Sequence, residues 1–197
     1  LKDEEFRLPV KILVLPGGIK PERQSDGAIG YDVCLRALVS PTEMEPDGVL
    51  RRCRFDFSKW PKDPNLQAKV KSATDDPTSA FPLGFALEPG EDVLGGIGFC
   101  TEMPPGWFFW VLPRSGLSSK YGIVVSNAPG TVDPDYRGEA GVIIHNRSKQ
   151  PFLLTHGMRI AQIAFQQAIF ANWQEISDPS MFSSSERGVG GFGSTGL

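Results

Sequence analysis

The stretch Asn127-Ala-Pro-Gly-Thr-Val-Asp-Pro-Asp-Tyr-Arg-Gly-Glu139, running on into Ala140-Gly-Val-Ile-Ile144, carries the signals that set the architecture. Pro129, Gly130, Pro134 and Gly138 mark turns, and the β-branched run behind them reads as a strand, so the whole is a hairpin. It also places three acids, Asp133, Asp135 and Glu139, within seven residues. Outward from it the same rhythm repeats. With 22 glycines and 17 prolines in 197 residues, punctuation breaks the chain into short segments and no long helical pattern emerges. Residues 10–15, 31–38, 107–112, 141–145 and 151–154 read as strands. Residues 159–169 are ambiguous: Ile160, Ile163, Ala164 and Gln167 suit a helix face, but Gly157 before them and the β-rich surroundings favour a strand. A hydrophobic content of 40% suffices for one good core. The expectation is a single all-β domain over residues 1–197.

Two further segments are built for phosphate. The apolar run Trp107-Phe-Phe-Trp-Val-Leu112 ends in Pro113-Arg-Ser-Gly-Leu-Ser-Ser-Lys-Tyr-Gly122. Arg114 there offers a guanidinium, Ser115 a hydroxyl and an amide, Gly116 an open backbone, and residues 117–120 a helical turn whose amides face the anion. The tail Arg187-Gly-Val-Gly-Gly-Phe-Gly-Ser-Thr-Gly-Leu197 combines five glycines with Arg187, Phe192, Gly193, Ser194 and Thr195. Glycines let backbone amides approach an anion, Arg187 forks onto phosphate oxygens, the hydroxyls donate, and Phe192 covers an aromatic base. By composition alone the same tail reads as a Gly/Ser linker.

Taken in order, these residues resemble the five motifs of the trimeric dUTP pyrophosphatase (dUTPase) family. They are Ala28-Ile-Gly-Tyr-Asp-Val33, Pro113-Arg-Ser-Gly-Leu117, the hairpin 127–139, Gly157-Met-Arg-Ile-Ala-Gln-Ile163 and the terminal Arg187 to Gly196. The stretch left uncovered is mainly 40–90. The resemblance implies a jelly-roll-like β-barrel assembling as a homotrimer with shared active sites, each closed by a C-terminal Gly-rich arm at 186–197. It implies hydrolysis of dUTP to dUMP and pyrophosphate, which keeps uracil out of DNA and supplies dUMP for thymidylate synthesis.

Residue by residue, the resemblance makes Asp133 the general base that activates water against the α-phosphorus; the residue-level alternative is a turn cap beside Pro134. Arg114, Arg187 and a Mg2+ ion would balance the triphosphate, and Mg2+ takes its ligands largely from phosphates and water. Asp32 is expected near the metal, through water, and Gln162 near the phosphates; alternatively Asp32 braces a turn and Gln162 pairs with a strand. Asn127, Gly130, Thr131, Val132 and Gly141 of the hairpin would read uracil and refuse cytosine and the thymine methyl. Tyr136 would pack under the deoxyribose where a 2′-hydroxyl clashes, or else be a core aromatic beside the turn. Two departures from the family pattern, Ile29 and Pro134, remove no functional group.

The separation of Asp32 from Arg114 is long for a compact domain, and an insertion at about 47–82 accounts for it. Between residues 51 and 71 it carries Arg51, Arg52, Arg54, Lys59, Lys62, Lys69 and Lys71 against Asp56 and Asp63. With Phe55, Phe57 and Trp60 this face suits a protein partner or single-stranded nucleic acid, although packing on the barrel with its charges solvated is favoured. The net charge of −3 opposes stable nucleic-acid binding.

Cys34, Cys53 and Cys100 are read as free thiols, being odd in number and lacking metal spacing. His145 and His156 are read as structural, one in a strand and one in a turn. The charged first residues and the absence of any long apolar run point to a soluble intracellular protein, cytoplasmic or in a nucleus or organelle. A dCTP deaminase, or a bifunctional relative, is the competing enzyme. Its catalytic glutamate would fall near Ile143, and its second motif carries Arg-Ser-Ser with a later arginine, against Arg114-Ser-Gly and Lys120 here. A regulatory protein that keeps the barrel and holds a partner through the insertion is the third reading.

Overall fold

The computed structural model describes residues 7–190. Its elements, in order, are β1 (Lys11–Val14), β2 (Tyr31–Cys34), β3 (Ala37–Met44), β4 (Arg51–Phe55), the helical turn α1 (Pro64–Gln67), β5 (Val70–Ser72), β6 (Leu83–Leu87), β7 (Asp92–Gly96), β8 (Phe99–Glu102), β9 (Trp107–Pro113), α2 (Ser115–Tyr121), β10 (Ile123–Val125), β11 (Gly130–Val132), β12 (Gly141–Asn146), β13 (Phe152–Thr155) and β14 (Arg159–Gln167). Every strand pair is antiparallel. Sheet orders are β10-β12-β7-β3-β4, β11-β9-β14-β2, β13-β6-β5 and the pair β1-β8. This is the jelly-roll-like barrel expected.

Alternation drives the wrap. Along β12, Val142 and Ile144 point into the core while Gly141, Ile143 and His145 face the other way. In β9, Phe109 and Val111 are the inward positions. Together with Val33, Leu35, Ile97, Phe99, Leu154 and Ile163 they form one core. The ambiguous run 159–167 is a strand: β14 lies between β9 and β2, with Ala161 opposite both Pro113 and Val33. A central strand must offer hydrogen-bonding edges on both sides, which a helix cannot. The run 31–38 is two strands rather than one; at the break, Leu35 bonds to Met158 instead of continuing the ladder.

Residues 47–82 are woven into the barrel. β4 extends the sheet through β3, and β5 pairs with β6. Phe55 and Phe57 are 3% and 0% exposed and stack edge-on at 4.7 Å, while Trp60 stays exposed. Two of the three rings are therefore core residues, because β4 aims Phe55 inward, as the favoured reading of packing on the barrel requires. Phe57 holds this position at φ 64°, a left-handed backbone unusual for a residue with a side chain.

His156 has structural partners: it stacks on Phe81 at 3.6 Å and its Nε2 meets the Gly17 carbonyl at 2.9 Å. His145 Nδ1 lies 3.3 Å from Asp92 Oδ1 but is buried without a hydrogen bond among the described residues. The three cysteines are free. No helix among the described residues is long and apolar enough to cross a membrane.

Candidate functional site

The stretch read as a hairpin instead connects two sheets, since β11 pairs with β9 whereas β12 pairs with β10 and β7; its residues meet at a cavity of about 860 Å3, a size suited to a small-molecule ligand. One wall is the hairpin side: Asn127, Thr131, Val132, Asp133, Tyr136 and Gly141. Arg51, Phe55, Leu66 and Lys69 from the 47–82 segment and Ile143 from β12 also line the cavity. β11 is held in place by pairing Thr131 with Trp110 of β9, and a cis Ala128–Pro129 bond lies in the turn before it. The turn at Asp133 closes through its backbone carbonyl, which accepts from Tyr136 N–H at 3.3 Å. The Asp133 side chain is exposed. Its carboxylate is left to the cavity rather than used as a cap.

A second group of candidates lies elsewhere on the β11-β9-β14-β2 sheet. Asp32, on β2, accepts from Arg114 Nε at 2.9 Å through Oδ1 and from Arg159 Nη1 at 3.1 Å through Oδ2. Arg114 caps α2, placing Ser115 and Gly116 in its first turn, exposed, with Leu117 buried beneath them. Gln162 faces Asp32 across the ladder and donates to the Pro113 carbonyl at 2.9 Å. That amide exists where it does because residue 30 is glycine: a Cβ there would collide with Gln162 Oε1. Gly30→Ala should displace the amide and cost about 1 kcal/mol for the lost hydrogen bond, a fall of about 2–4 °C in thermal midpoint. In a Gln162→Ala background the same substitution should cost less; equal losses in both backgrounds would show that the amide is not what it displaces.

None of Asp32, Arg114 and Gln162 lines the cavity. β2 stands three strand spacings from β11, about 14 Å, so the two groups occupy different regions of one chain. Burial pushes the Cys34 thiol up, even with Arg159 and Arg114 beside it; it is a neutral neighbour rather than a nucleophile. Arg187 is exposed and donates to the Gly190 carbonyl at 2.9 Å within its own turn. Phe192, Gly193, Ser194 and Thr195 lie outside the described residues. Among the described residues no three of His, Cys, Asp and Glu gather to cage a metal. With Asp32 already engaged by two guanidiniums, this donor set fits an ion held by a polyphosphate and water, not by a protein cage.

Sequence reasoning missed two residues that this geometry brings forward. Arg51, on the cavity wall, donates to the Tyr136 phenol, and Glu139, 0% exposed, receives a buried arginine, Arg36, at 2.7 and 2.8 Å. The one available signal was Glu139 as the last residue of the motif 127–139; its arginine partners lie 103 and 88 residues away in the chain.

An antiparallel jelly roll with a hairpin-walled cavity and a separate arginine-rich patch defines the class: an all-β barrel that holds a small anionic ligand. The family model for dUTPase matches residues 81–196, and the chain belongs to the dUTPase family. The deoxyuridine 5′-triphosphate nucleotidohydrolase of Beijerinckia indica is 46% identical over 123 residues, 61% of this chain and 75% of that protein. Among solved structures, Staphylococcus bacteriophage 80alpha dUTPase with dUPNHPP gives a TM-score of 0.61 at 21% identity, covering 96% of this chain and 99% of that one. A mutant dUTPase from phage phi11 of S. aureus, described for its coordination of a structural Mg(II) ion, gives 0.57 at 16% identity over 87% and 99%. At such identity the phage proteins speak for the fold alone.

Proposed function

We propose that the chain hydrolyses dUTP to dUMP and pyrophosphate, with Asp133 as the base that takes a proton from the attacking water. The observation that carries this reading is the exposed Asp133 carboxylate on the wall of the hairpin cavity, its turn already closed by backbone. A carboxylate so placed orients a water by hydrogen bonding and accepts its proton as the oxygen attacks the α-phosphorus. Asn127, Gly130, Thr131, Val132 and Gly141 present the backbone and amide groups that take uracil, and Tyr136 closes the sugar end. Cytosine presents a donor where uracil presents an acceptor, and a buried mismatch of that kind is rejected by up to ~10⁴-fold.

Arg114, Ser115, Gly116 and Gln162 are the phosphate-binding set, joined by Arg187, Phe192, Gly193, Ser194 and Thr195 of the arm. Mg2+, when bound with the triphosphate, supplies positive charge to the phosphate oxygens, and Asp32 would meet its waters.

These groups fall in two regions of one subunit, which supports a homotrimer whose sites combine neighbouring chains. So does the segment after β14, where Ile169, Phe170 and Trp173 are 97%, 81% and 90% exposed; large apolar groups clustered on one strand end mark a surface made to be covered. The family match covers residues 81–196, and the reading of 47–82 as an insertion rests on the long separation of Asp32 from Arg114. With Phe55 and Phe57 in the core, that insertion is first of all a cavity wall.

The deaminase alternative loses ground at Ile143, an apolar residue lining the same cavity. The test is pyrophosphate release from dUTP, dCTP, dTTP and UTP with Mg2+. Release from dUTP alone is expected; ammonia from dCTP would move the assignment to a deaminase, and silence on all four would refute both.

A further inference from the structure

Tyr136 is held from outside its own hairpin. Arg51, the first residue of β4, has a guanidinium engaged on three sides. Its Nη2 donates to the Tyr136 phenol oxygen at 3.0 Å, its Nε to the Glu139 carbonyl at 3.1 Å and its Nη1 to the Pro41 carbonyl at 2.9 Å. Its backbone N–H donates to Glu139 Oε2 at 3.2 Å, fastening the start of the strand to a buried carboxylate. The phenol in turn donates to the Glu139 carbonyl at 3.0 Å. The ring lies close over Gly138, where a Cβ would stand 2.6 Å from the phenol oxygen and 2.8 Å from Cζ. Arg51 and Tyr136 both line the cavity.

We infer that Arg51 is a positioning residue for Tyr136: through the phenol it fixes the place from which the ring closes the sugar end of the cavity, so that the 47–82 segment helps select deoxyribose over ribose. This rests on the dUTP reading above. A ring excludes a 2′-hydroxyl only as firmly as the ring itself is held. The phenol oxygen lies on the ring's own long axis, so its bonds to Arg51 and to the Glu139 carbonyl leave ring rotation alone and instead fix where the far end of the side chain stands, which stops it swinging about χ1. A lysine would not replace the arginine, since one ammonium cannot reach three acceptors spread around a planar fork.

If Arg51 served only to anchor β4, its loss would lower stability and affect both nucleotides alike. The discriminating measurement is kcat/KM for dUTP and for UTP in the wild type, Arg51→Met, Tyr136→Phe and the double variant. The dUTP-to-UTP ratio should fall about tenfold in Arg51→Met, within the range that one hydroxyl commands in a pocket. It should fall at least as far in Tyr136→Phe, which keeps the ring but loses both phenol bonds, and no further in the double variant than in Tyr136→Phe, because the Arg51 bond is already among those lost. An unchanged ratio in either single variant, or losses that multiply in the double, would overturn the inference. Should Arg51→Met fail to fold, Arg51→Lys takes its place with the same fall expected, and an unchanged ratio there would overturn the inference. A wild-type protein inert toward dUTP refutes the functional reading itself; one that hydrolyses dUTP while the variants keep its ratio refutes only the role of Arg51.

Discussion

Asp133→Asn should lower kcat for dUTP by about 10²–10⁴-fold, the span attributable to a positioned general base, while KM changes little. Asparagine has the same shape and still hydrogen-bonds a water, but it cannot take the proton. Since the Asp133 turn is closed by backbone, the Tyr136 N–H to the Asp133 carbonyl, the substitution leaves the hairpin and its nucleoside wall intact. Loss of an interaction made only in the transition state lowers kcat and kcat/KM together. Single-turnover rates, with nucleotide binding measured separately by calorimetry, separate this from a binding defect. A variant within about tenfold of the wild type would remove Asp133 from the role of base and leave it as a residue of the turn.

Arg36→Met should destabilise the protein by about 3–5 kcal/mol, the cost of leaving a buried charge without its partner. Arg36 is 8% exposed and Glu139 0%, and their two hydrogen bonds of 2.7 and 2.8 Å join β3 to the end of the hairpin motif. Glu139 also accepts from Gly98 N–H at 3.0 Å and Arg51 N–H at 3.2 Å. Removing the guanidinium therefore strands a carboxylate at which several segments converge. Adding Glu139→Gln should restore part of the loss, because it removes the unpaired buried charge; its single amide oxygen accepts from only one of the two backbone N–H groups, which meet different carboxylate oxygens, so the rescue is incomplete. Urea unfolding at one fixed protein concentration is the measurement, since the homotrimer proposed above would make apparent stability concentration-dependent. A loss below about 1 kcal/mol would mean that water reaches the pair. Because Glu139 also positions Arg51, the variant should weaken the hold on Tyr136 as well as the fold.

Strands were legible where they carry their own evidence in alternation and turn chemistry. Gly141–Asn146 alternates strictly, and Arg159–Gln167 was resolved as a strand from its surroundings although its apolar spacing also suited a helix. The candidate site was legible as residue types in five local motifs. Its division into two regions was not. Asp32, Arg114 and Gln162 come together at the ends of β2, β9 and β14, whereas Asp133 and Tyr136 stand across the sheet at the cavity; motif order along the chain carries no information about which strand end each motif reaches. For residues 51–71 packing on the barrel was the favoured reading, and Phe55 and Phe57 are core; the bond of Arg51 to the Tyr136 phenol was not legible, because which face of a strand is buried depends on the sheet that receives it.

β4 to β8, β10 and β11 went unread as strands, and what the sequence by itself determined was the all-β class, the strand runs at β1, β2, β9, β12, β13 and β14, the turn-rich stretch with Asp133 and Tyr136, and the turn at Arg114. All of these are written in contiguous residues through side-chain period and turn chemistry. Only the tertiary structure decided that Arg36 finds Glu139, that Arg51 holds Tyr136, and that residues 47–82 form a wall of the cavity. Those contacts join residues 85 to 103 positions apart, and their free energy comes from burial and hydrogen-bond geometry that exist only once the barrel has closed.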